Sequence, residues 1–155
     1  MARETAFVKV SGDMFNKPEF ISGLARLSSE YFVVVCVGGG TQINLAFKEI
    51  GVGVGIHGPL GRETKSFYER QLARDVLERN QVELQDILAS EKITATVIIP
   101  TLEIGSVLCH VNGDQMVRTV YLGFDRIFVV TVPDRHEKKK AEFVDLPKVE
   151  VLSFG

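Results

Sequence analysis

The sequence has 155 residues, of which 45% are hydrophobic and 25% are charged. This composition favours one globular domain over a disordered, collagen-like or coiled-coil chain. Its 18 basic and 20 acidic residues give a formal net charge of −2, and this balance argues against nucleic acid and anionic membranes as partners, because both attract strongly basic proteins.

The chain begins with the pattern of a strand, a helix and a second strand. Residues 6–10 and 31–37 are short apolar runs, and continuous apolarity is typical of strands buried on both faces of a parallel sheet. Between these runs, Phe20, Leu24 and Leu27 recur at helical spacing. The sequence therefore predicts a βαβ unit.

Further helices are predicted after this unit. An apolar stripe at helical spacing predicts a second helix that Gly51 ends, and residues 51–61 are expected to form a loop or an irregular strand. Residues 63–90 also carry apolar residues at helical spacing, but the stripe weakens near Asn80 and Gln81. This segment is therefore either one long helix or two consecutive helices.

The second half of the chain returns to strands. A short helix is predicted over residues 113–121. The predicted strands cover residues 93–99, 105–109, 126–132 and 149–152. Strands that alternate with helices along the whole chain predict an α/β fold, namely a three-layer αβα sandwich with a mainly parallel sheet.

Nothing in these patterns predicts a membrane or secreted protein. The longest strongly apolar run, residues 31–37, is much shorter than the roughly 20 residues that span a bilayer. The amino terminus also lacks the apolar stretch and cleavage site of a signal peptide. We therefore expect a cytoplasmic protein in which Cys36 and Cys109 are reduced and serve as small hydrophobic residues.

Three glycines, Gly38, Gly39 and Gly40, stand between a predicted buried strand and a predicted helix. Without a Cβ atom the backbone can approach a ligand closely, and the N–H groups at a helix start favour an anion such as phosphate or carboxylate. The alternative is that the glycines only allow a tight turn from the strand into the helix.

Two charged residues are expected beside this glycine loop. Lys9 interrupts the first apolar strand and precedes Ser11 and Gly12, which again lead into a helix. Since ligands of parallel α/β sheets bind outside the carboxyl ends of the strands, Lys9 and the glycines would face one crevice; the alternative for Lys9 is an edge or surface position. Asp114 also follows a strand, where it either supports the helix start or orients a catalytic cation or hydroxyl.

Three other patterns predict no site. Residues 53–58 match G-x-G-x-x-G by letter, but no clear strand precedes them, so they are interpreted as a loop rather than a dinucleotide site. His57, His110 and His136 lack the spacing of zinc ligands, and no metal site is predicted. The charged run at residues 135–140 is interpreted as a solvated connection.

Four segments, taken in order, resemble the amino-acid kinase family, which includes acetylglutamate kinase and uridylate kinase. Residues 8–12 (VKVSG) look like the family's first strand with its lysine and glycine, and residues 33–44 (VVVCVGGGTQIN) look like its strand and glycine loop. Residues 111–114 (VNGD) are similar to its Asn-x-Asp helix start. Residues 122–131 are similar to the strand that opens the family's nucleotide half.

The resemblance implies the amino-acid kinase fold, ATP as phosphoryl donor, Mg²⁺, and a small carboxylate, carbamate or phosphate acceptor. By position, it implies that Lys9 stabilises the transferred phosphoryl group, that Asp114 organises the catalytic lysines and that Arg62 binds the acceptor's carboxylate. It also implies a homodimer through the helix of residues 63–80. The other residues that it implies in phosphate or acceptor binding are Ser11, Gly12, Gly38, Gly39, Gly40 and Asn112.

The resemblance extends over most of the chain but not to the family's full length. We expect one domain over residues 1–155, with an acceptor half at residues 1–112 and a shortened nucleotide half at residues 113–155. Family kinases continue well past the strand that here ends at Thr131, and a second catalytic lysine and the adenine pocket lie in their extra sequence.

These departures set the expected function. Lys138, Lys139 or Lys140 is the candidate replacement for the family's second lysine. Since phosphoryl transfer depends on positioning and electrostatics, a shortened nucleotide half favours binding of a small anionic metabolite or a nucleotide phosphate, with reduced or no phosphotransfer. The alternative is an active minimal ATP-dependent kinase that phosphorylates a small carboxylate or phosphate acceptor.

Overall fold

A five-stranded parallel sheet forms the centre of the structure, a computed structural model that describes residues 2–154. Its strands are β1 (Thr5–Val10), β2 (Phe32–Val37), β5 (Thr96–Ile98), β8 (Arg126–Thr131) and β9 (Val149–Ser153). Their order across the sheet is β5-β2-β1-β8-β9, and each neighbouring pair is parallel. The carboxyl ends of all these strands therefore lie at one edge of the sheet.

The central strand of this sheet is β1. Phe7 and Val8 are fully buried on opposite faces, as expected for an apolar strand of a parallel sheet with both faces covered. Lys9 is the charged residue of this strand, and in the register it lies between Cys36 of β2 and Val129 of β8. The lysine is thereby held near the carboxyl edge by strands on both sides.

Helices cover both faces of the sheet. They are α1 (Pro18–Glu30), α2 (Gly40–Glu49), α3 (Phe67–Ser90), α4 (Gly113–Val120) and α5 (His136–Glu142). Side chains of α1 and α3 pack with Val8 in one core, and α4 packs with Phe7 in a core on the other face. The predicted α/β class is confirmed, and the arrangement is compatible with a three-layer αβα sandwich.

Two antiparallel hairpins lie outside the main sheet. They are formed by β3 (Ile56–Gly58) with β4 (Gly61–Glu63), and by β6 (Thr101–Ile104) with β7 (Val107–His110). The expectation that residues 105–109 add a strand to the main sheet is wrong. Gly105 and Ser106 have φ values of 56° and 69°, and two successive residues in the left-handed region turn the chain back into a hairpin.

Of the two alternatives for residues 63–90, the structure contains a single helix, α3, with 24 residues. The apolar stripe weakens at Asn80 and Gln81 because both side-chain amides donate hydrogen bonds, Asn80 to the glycine loop after β2 and Gln81 to β5. Asn80 Nδ2 lies 2.9 Å from the carbonyl oxygen of Gly38, and Gln81 Nε2 lies 2.8 Å from that of Val97. None of the helices within residues 2–154, including this one, combines the length and apolar character needed to cross a membrane.

Candidate functional site

A crevice of about 390 Å³ opens at the carboxyl edge of the sheet. It is bounded by the ends of β1 and β2, the start of α2, the β3–β4 hairpin and the start of α4. The sequence-predicted residues that line it are Lys9, Ser11, Gly12, Gly38, Gly39, Gly40, Arg62, Asn112 and Asp114. The structure thus brings all of these residues to one place, while their roles in binding or catalysis stay predictions.

The centre of the crevice holds one carboxylate between two lysines. Asp114 Oδ1 lies 3.4 Å from Lys9 Nζ, and Asp114 Oδ2 lies 2.6 Å from Lys139 Nζ. The three side chains are largely buried, with exposed fractions of 13% for Lys9, 23% for Asp114 and 17% for Lys139. A Cβ atom on Gly113 would stand 2.8 Å from Lys9 Cε, so the lysine side chain packs directly against the start of α4.

The charges of this cluster reinforce one another. Burial alone would raise the pKa of Asp114, but Lys9 and Lys139 outweigh it, and the pKa lies below its ordinary value. Burial would likewise lower the pKa of Lys139, but Asp114 and Glu142 outweigh it, and this pKa is raised. Lys139 Nζ also lies 3.1 Å from Glu142 Oε2, so the two lysines and two carboxylates are formally balanced. The excess of positive charge around the crevice comes from Arg62 and Arg135, and it favours an anion beside the lysines.

The glycine loop lies directly against the loop that follows β1. A Cβ atom on Gly12 would stand 2.8 Å from the Cα atom of Gly39, so the two loops can approach this closely only without a side chain at Gly12. Gln42 Nε2 also donates a hydrogen bond of 2.8 Å to the carbonyl oxygen of Gly12. Gly40, the first residue of α2, has open space where its Cβ would be, which leaves the helix start accessible from the crevice.

Arg62 lies on β4 and holds the β3–β4 hairpin against α2. Its guanidinium donates to the carbonyl oxygen of Val54 and, at 3.3 Å, to that of Gly40, and it stacks over the Phe47 ring at 5.6 Å. Arg62 is only 9% exposed, and burial lowers its pKa. Within residues 2–154 no carboxylate lies within ion-pair distance of it. The side chain therefore serves the fold as well as lining the crevice.

Asn112 also has a structural role. Its Oδ1 accepts a hydrogen bond of 2.8 Å from the N–H of Asp114, so that it caps the start of α4. The capped helix fixes the direction in which Asp114 leaves the backbone. The predicted binding residue Asn112 thus lines the crevice and at the same time positions the carboxylate at its centre.

The charged run at residues 135–140 contributes more to the crevice than its sequence pattern predicts. The interpretation of this run as a solvated connection is wrong for Lys139, which reaches Asp114 from α5. Arg135, in the turn that leads into α5, also lines the crevice. The only available signal was the family's need for a second lysine, since spacing along the run does not separate Lys139 from Lys138 or Lys140.

Two histidines line the end of the crevice that is closed by the β3–β4 hairpin. His57 belongs to β3, and His110 is the last residue of β7. Burial, together with the charge of Arg62 and the neighbouring His57, lowers the pKa of His110 to about 4. His110 is therefore neutral at pH 7, and its Nδ1 is buried without a hydrogen-bond partner in the described part of the chain.

The crevice offers few ligands for a metal ion. Within residues 2–154 no three side chains of His, Cys, Asp or Glu lie close enough together to hold one. Of the two carboxylates that line the crevice, Asp13 accepts a hydrogen bond of 3.0 Å from Thr41 Oγ1, and Asp114 is paired with the lysines. These residues fit a Mg²⁺ ion only if phosphate groups of a nucleotide supply most of its ligands.

Comparison with known proteins assigns this chain to no family, so the proposed function is based on the geometry of the crevice. Neither the models of known protein families nor the curated protein sequences give a match to this chain.

Proposed function

We propose that the crevice binds a small anionic metabolite, or a phosphate group of a nucleotide, against Lys9 and Lys139. The observation that carries this proposal is the pairing of both ammonium groups with Asp114. Asp114 holds both ammonium groups in place, and Glu142 supports Lys139 from the other side at 3.1 Å. Ammonium groups that are fixed before the ligand arrives form strong charge-assisted hydrogen bonds with phosphate or carboxylate oxygens.

The remaining lining of the crevice supports an anionic ligand. Four basic side chains, Lys9, Arg62, Arg135 and Lys139, face two acidic ones, Asp13 and Asp114. The start of α2 at Gly40 adds main-chain N–H groups that have no partner within the helix. A volume of about 390 Å³ suits a small molecule rather than a peptide or a nucleic acid strand.

We propose binding rather than phosphoryl transfer as the main function. The observations that support the site are the charge and the volume of the crevice, and these properties determine the affinity for a ligand. Transfer also requires a site for the phosphoryl donor. In this proposal the chain has an amino-acid-kinase-like fold, with Lys9, Ser11, Gly12 and the glycine loop in phosphate binding, and it retains reduced phosphotransfer or none.

The second candidate is an ATP-dependent phosphotransferase acting on a small acceptor, and the position of Lys139 favours it. In such a transfer an acceptor oxygen attacks the γ-phosphorus, the bond to the β,γ-bridging oxygen breaks, and ADP leaves with that electron pair. Lys9 and Lys139 would stabilise the charge of the transferred group, with Asp114 holding both in place. Mg²⁺ would enter with the nucleotide and neutralise its phosphates.

We also propose that the chain forms a homodimer through the part of α3 within residues 63–80. Phe67 and Tyr68, at the start of α3, are 58% and 64% exposed in the single chain, which leaves apolar surface for a second copy. Light scattering over a range of concentrations tests this: we expect the mass of a dimer, and a monomer at every concentration would refute it.

Calorimetric titration of the full chain with inorganic phosphate, and with ATP and Mg²⁺, tests the binding proposal. We expect phosphate to bind and Lys139→Ala to weaken it about tenfold or more. Lys140→Ala, a change in the same helix to an exposed residue outside the crevice, is the matched control and should leave the affinity unchanged. Absence of phosphate and nucleotide binding would reject the proposal, and robust turnover of ATP that depends on Asp114 would favour the phosphotransferase.

A further inference from the structure

Arg62 is a buried cation that lacks a counter-ion within residues 2–154. Its exposed fraction is 9%, and its hydrogen-bond acceptors are the backbone carbonyls of Val54 and Gly40. Removing a charge from water is costly unless an opposite charge compensates for it. Because Arg62 lines the crevice, an anionic group of a bound ligand is the compensation that the site lacks.

His110 lines the same end of the crevice. It ends β7, and its Nδ1 is buried without a hydrogen-bond partner in the region that the structure describes. A protonated imidazole donates through both ring nitrogens, whereas a neutral one donates through only one. An anionic ligand oxygen placed between the two residues would give Arg62 a counter-ion and would give His110 Nδ1 a hydrogen-bond partner.

We propose that His110 is a further binding residue of the crevice, and that it takes up a proton when an anionic group of the ligand pairs with Arg62. This inference rests on the proposed function, since it needs a small anion in the crevice. It assigns the ligand two anionic groups, one at the lysines and one at Arg62 and His110. It also makes the affinity of the crevice dependent on pH.

The direction of this dependence follows from the charges around the ring. Burial, Arg62 and His57 hold the pKa of His110 at about 4 in the free protein. A ligand anion at Arg62 cancels the positive field and adds an acceptor for the imidazolium N–H, so the pKa of His110 is higher in the complex. A group that binds its proton more tightly in the complex makes the ligand bind more tightly as the pH falls towards 4.

The other elements around His110 do not supply this anion. Asp114 on α4 is already paired with two lysines, and α2 contributes the neutral Asn44. On α3, which packs against β7, Arg74 is paired with Glu78 and Glu103. The charged and titratable side chains that line the crevice together with His110 are Lys9, Asp13, His57, Arg62, Asp114, Arg135 and Lys139.

Calorimetry with ethane-1,2-disulfonate tests the inference on the full chain. This probe carries two separated anionic groups that stay ionised across the pH range, so any pH dependence belongs to the protein. We expect its affinity to be higher near pH 5 than near pH 7, and a rise of the His110 pKa by about two units on binding would make the difference about tenfold. At the lower pH, titrations in two buffers of different ionisation enthalpy should report net proton uptake on binding.

Two matched variants assign the proton. In His110→Asn the disulfonate should bind with about the same affinity near pH 5 as near pH 7. In His57→Asn, a change at the neighbouring histidine of the same crevice, the affinity should still be higher near pH 5. Disulfonate binding without pH dependence or proton uptake, or a dependence lost in His57→Asn instead, would overturn the inference and leave the proposed function standing. If inorganic phosphate, nucleotide and the disulfonate all fail to bind at any pH, the proposed function fails and the inference fails with it.

Discussion

Both ends of the crevice contain basic side chains, but their charges are balanced differently. At the lysine end, Lys9 and Lys139 share the carboxylate of Asp114, and Lys139 also pairs with Glu142. At the hairpin end, Arg62 donates only to backbone carbonyls within residues 2–154, beside the neutral ring of His110. Cations that already have a carboxylate are oriented before the ligand arrives, whereas a cation without one gains most from the ligand itself. The lysine end therefore provides preorganisation, and the hairpin end provides selection for a second anionic group.

The largest expected effect is at the lysine end. Lys9→Ala should weaken phosphate or sulfate binding by roughly 1.5–3 kcal/mol, the usual contribution of a hydrogen bond to a charged group. Calorimetry gives the affinity directly. Lys48→Ala, an exposed lysine near the end of α2, is the control and should bind like the original chain. If Lys9→Ala bound as tightly as the control, the lysine end would not be the anion site.

A smaller and more selective effect is expected at the hairpin end. Arg62→Leu should weaken the binding of ethane-1,2-disulfonate about tenfold, because the second anionic group loses its cation. The affinity for sulfate should fall much less. The ratio of the two affinities, measured by calorimetry on the same preparation, is the relevant quantity. Equal losses for both probes would show that the two ends do not act separately.

Because Arg62 also holds the hairpin, this result needs a check on folding. Arg62→Lys keeps the positive charge but loses the two-pronged contact to Val54 and Gly40. A thermal unfolding scan of both variants separates the loss of hairpin contacts from the loss of charge. If Arg62→Lys retains the preference for the disulfonate, the charge is what selects the second group.

At the centre, Asp114 links stability to pH. Its pKa is lower in the folded protein than in the unfolded chain, so its contribution to stability is complete above the unfolded value of about 3.9 and is lost as the pH falls through the folded value. Denaturant unfolding at several acidic pH values should show this loss. Asp114→Asn should be less stable than the original chain at neutral pH, since its two lysines lose their shared counter-ion, and the difference should shrink in acid. A difference that stayed constant with pH would contradict the assigned pairing.

The parts of the fold that the sequence predicts are those governed by local pattern. Continuous apolar runs predicted β1, β2 and β8, and glycine-containing turns after Val10 and Val37 placed Lys9 and the glycine loop at one edge. The β6–β7 hairpin escaped prediction because it depends on positive φ values at Gly105 and Ser106, and Ser106 gives no signal for such a conformation.

The candidate site was predictable where a residue stands in a strand or at a helix start, as Lys9 and Asp114 do. Lys139 could not be separated from its neighbours, because its approach to Asp114 depends on how α5 packs on the sheet. The hairpin end was hidden for the same reason: His57 and His110 are far apart in sequence and meet only when two hairpins fold over the crevice. Tertiary contacts of this kind leave no periodicity in the sequence.

The smallest expected effect concerns Asn112, which lies between the two ends of the crevice. Variants at this residue distinguish a structural role from a role in binding. Asn112→Ala removes the cap of α4 and should lower the free energy of unfolding by about 1 kcal/mol, with a modest loss of sulfate affinity as Asp114 becomes less well held. Asn112→Asp keeps a capping oxygen, so stability should be retained, but the added negative charge in the crevice should weaken sulfate. Denaturant unfolding and calorimetry on both variants measure the two quantities. If Asn112→Ala lost as much affinity as Lys9→Ala without losing stability, Asn112 would contact the anion directly, and the centre of the crevice would belong to the binding surface rather than to its support.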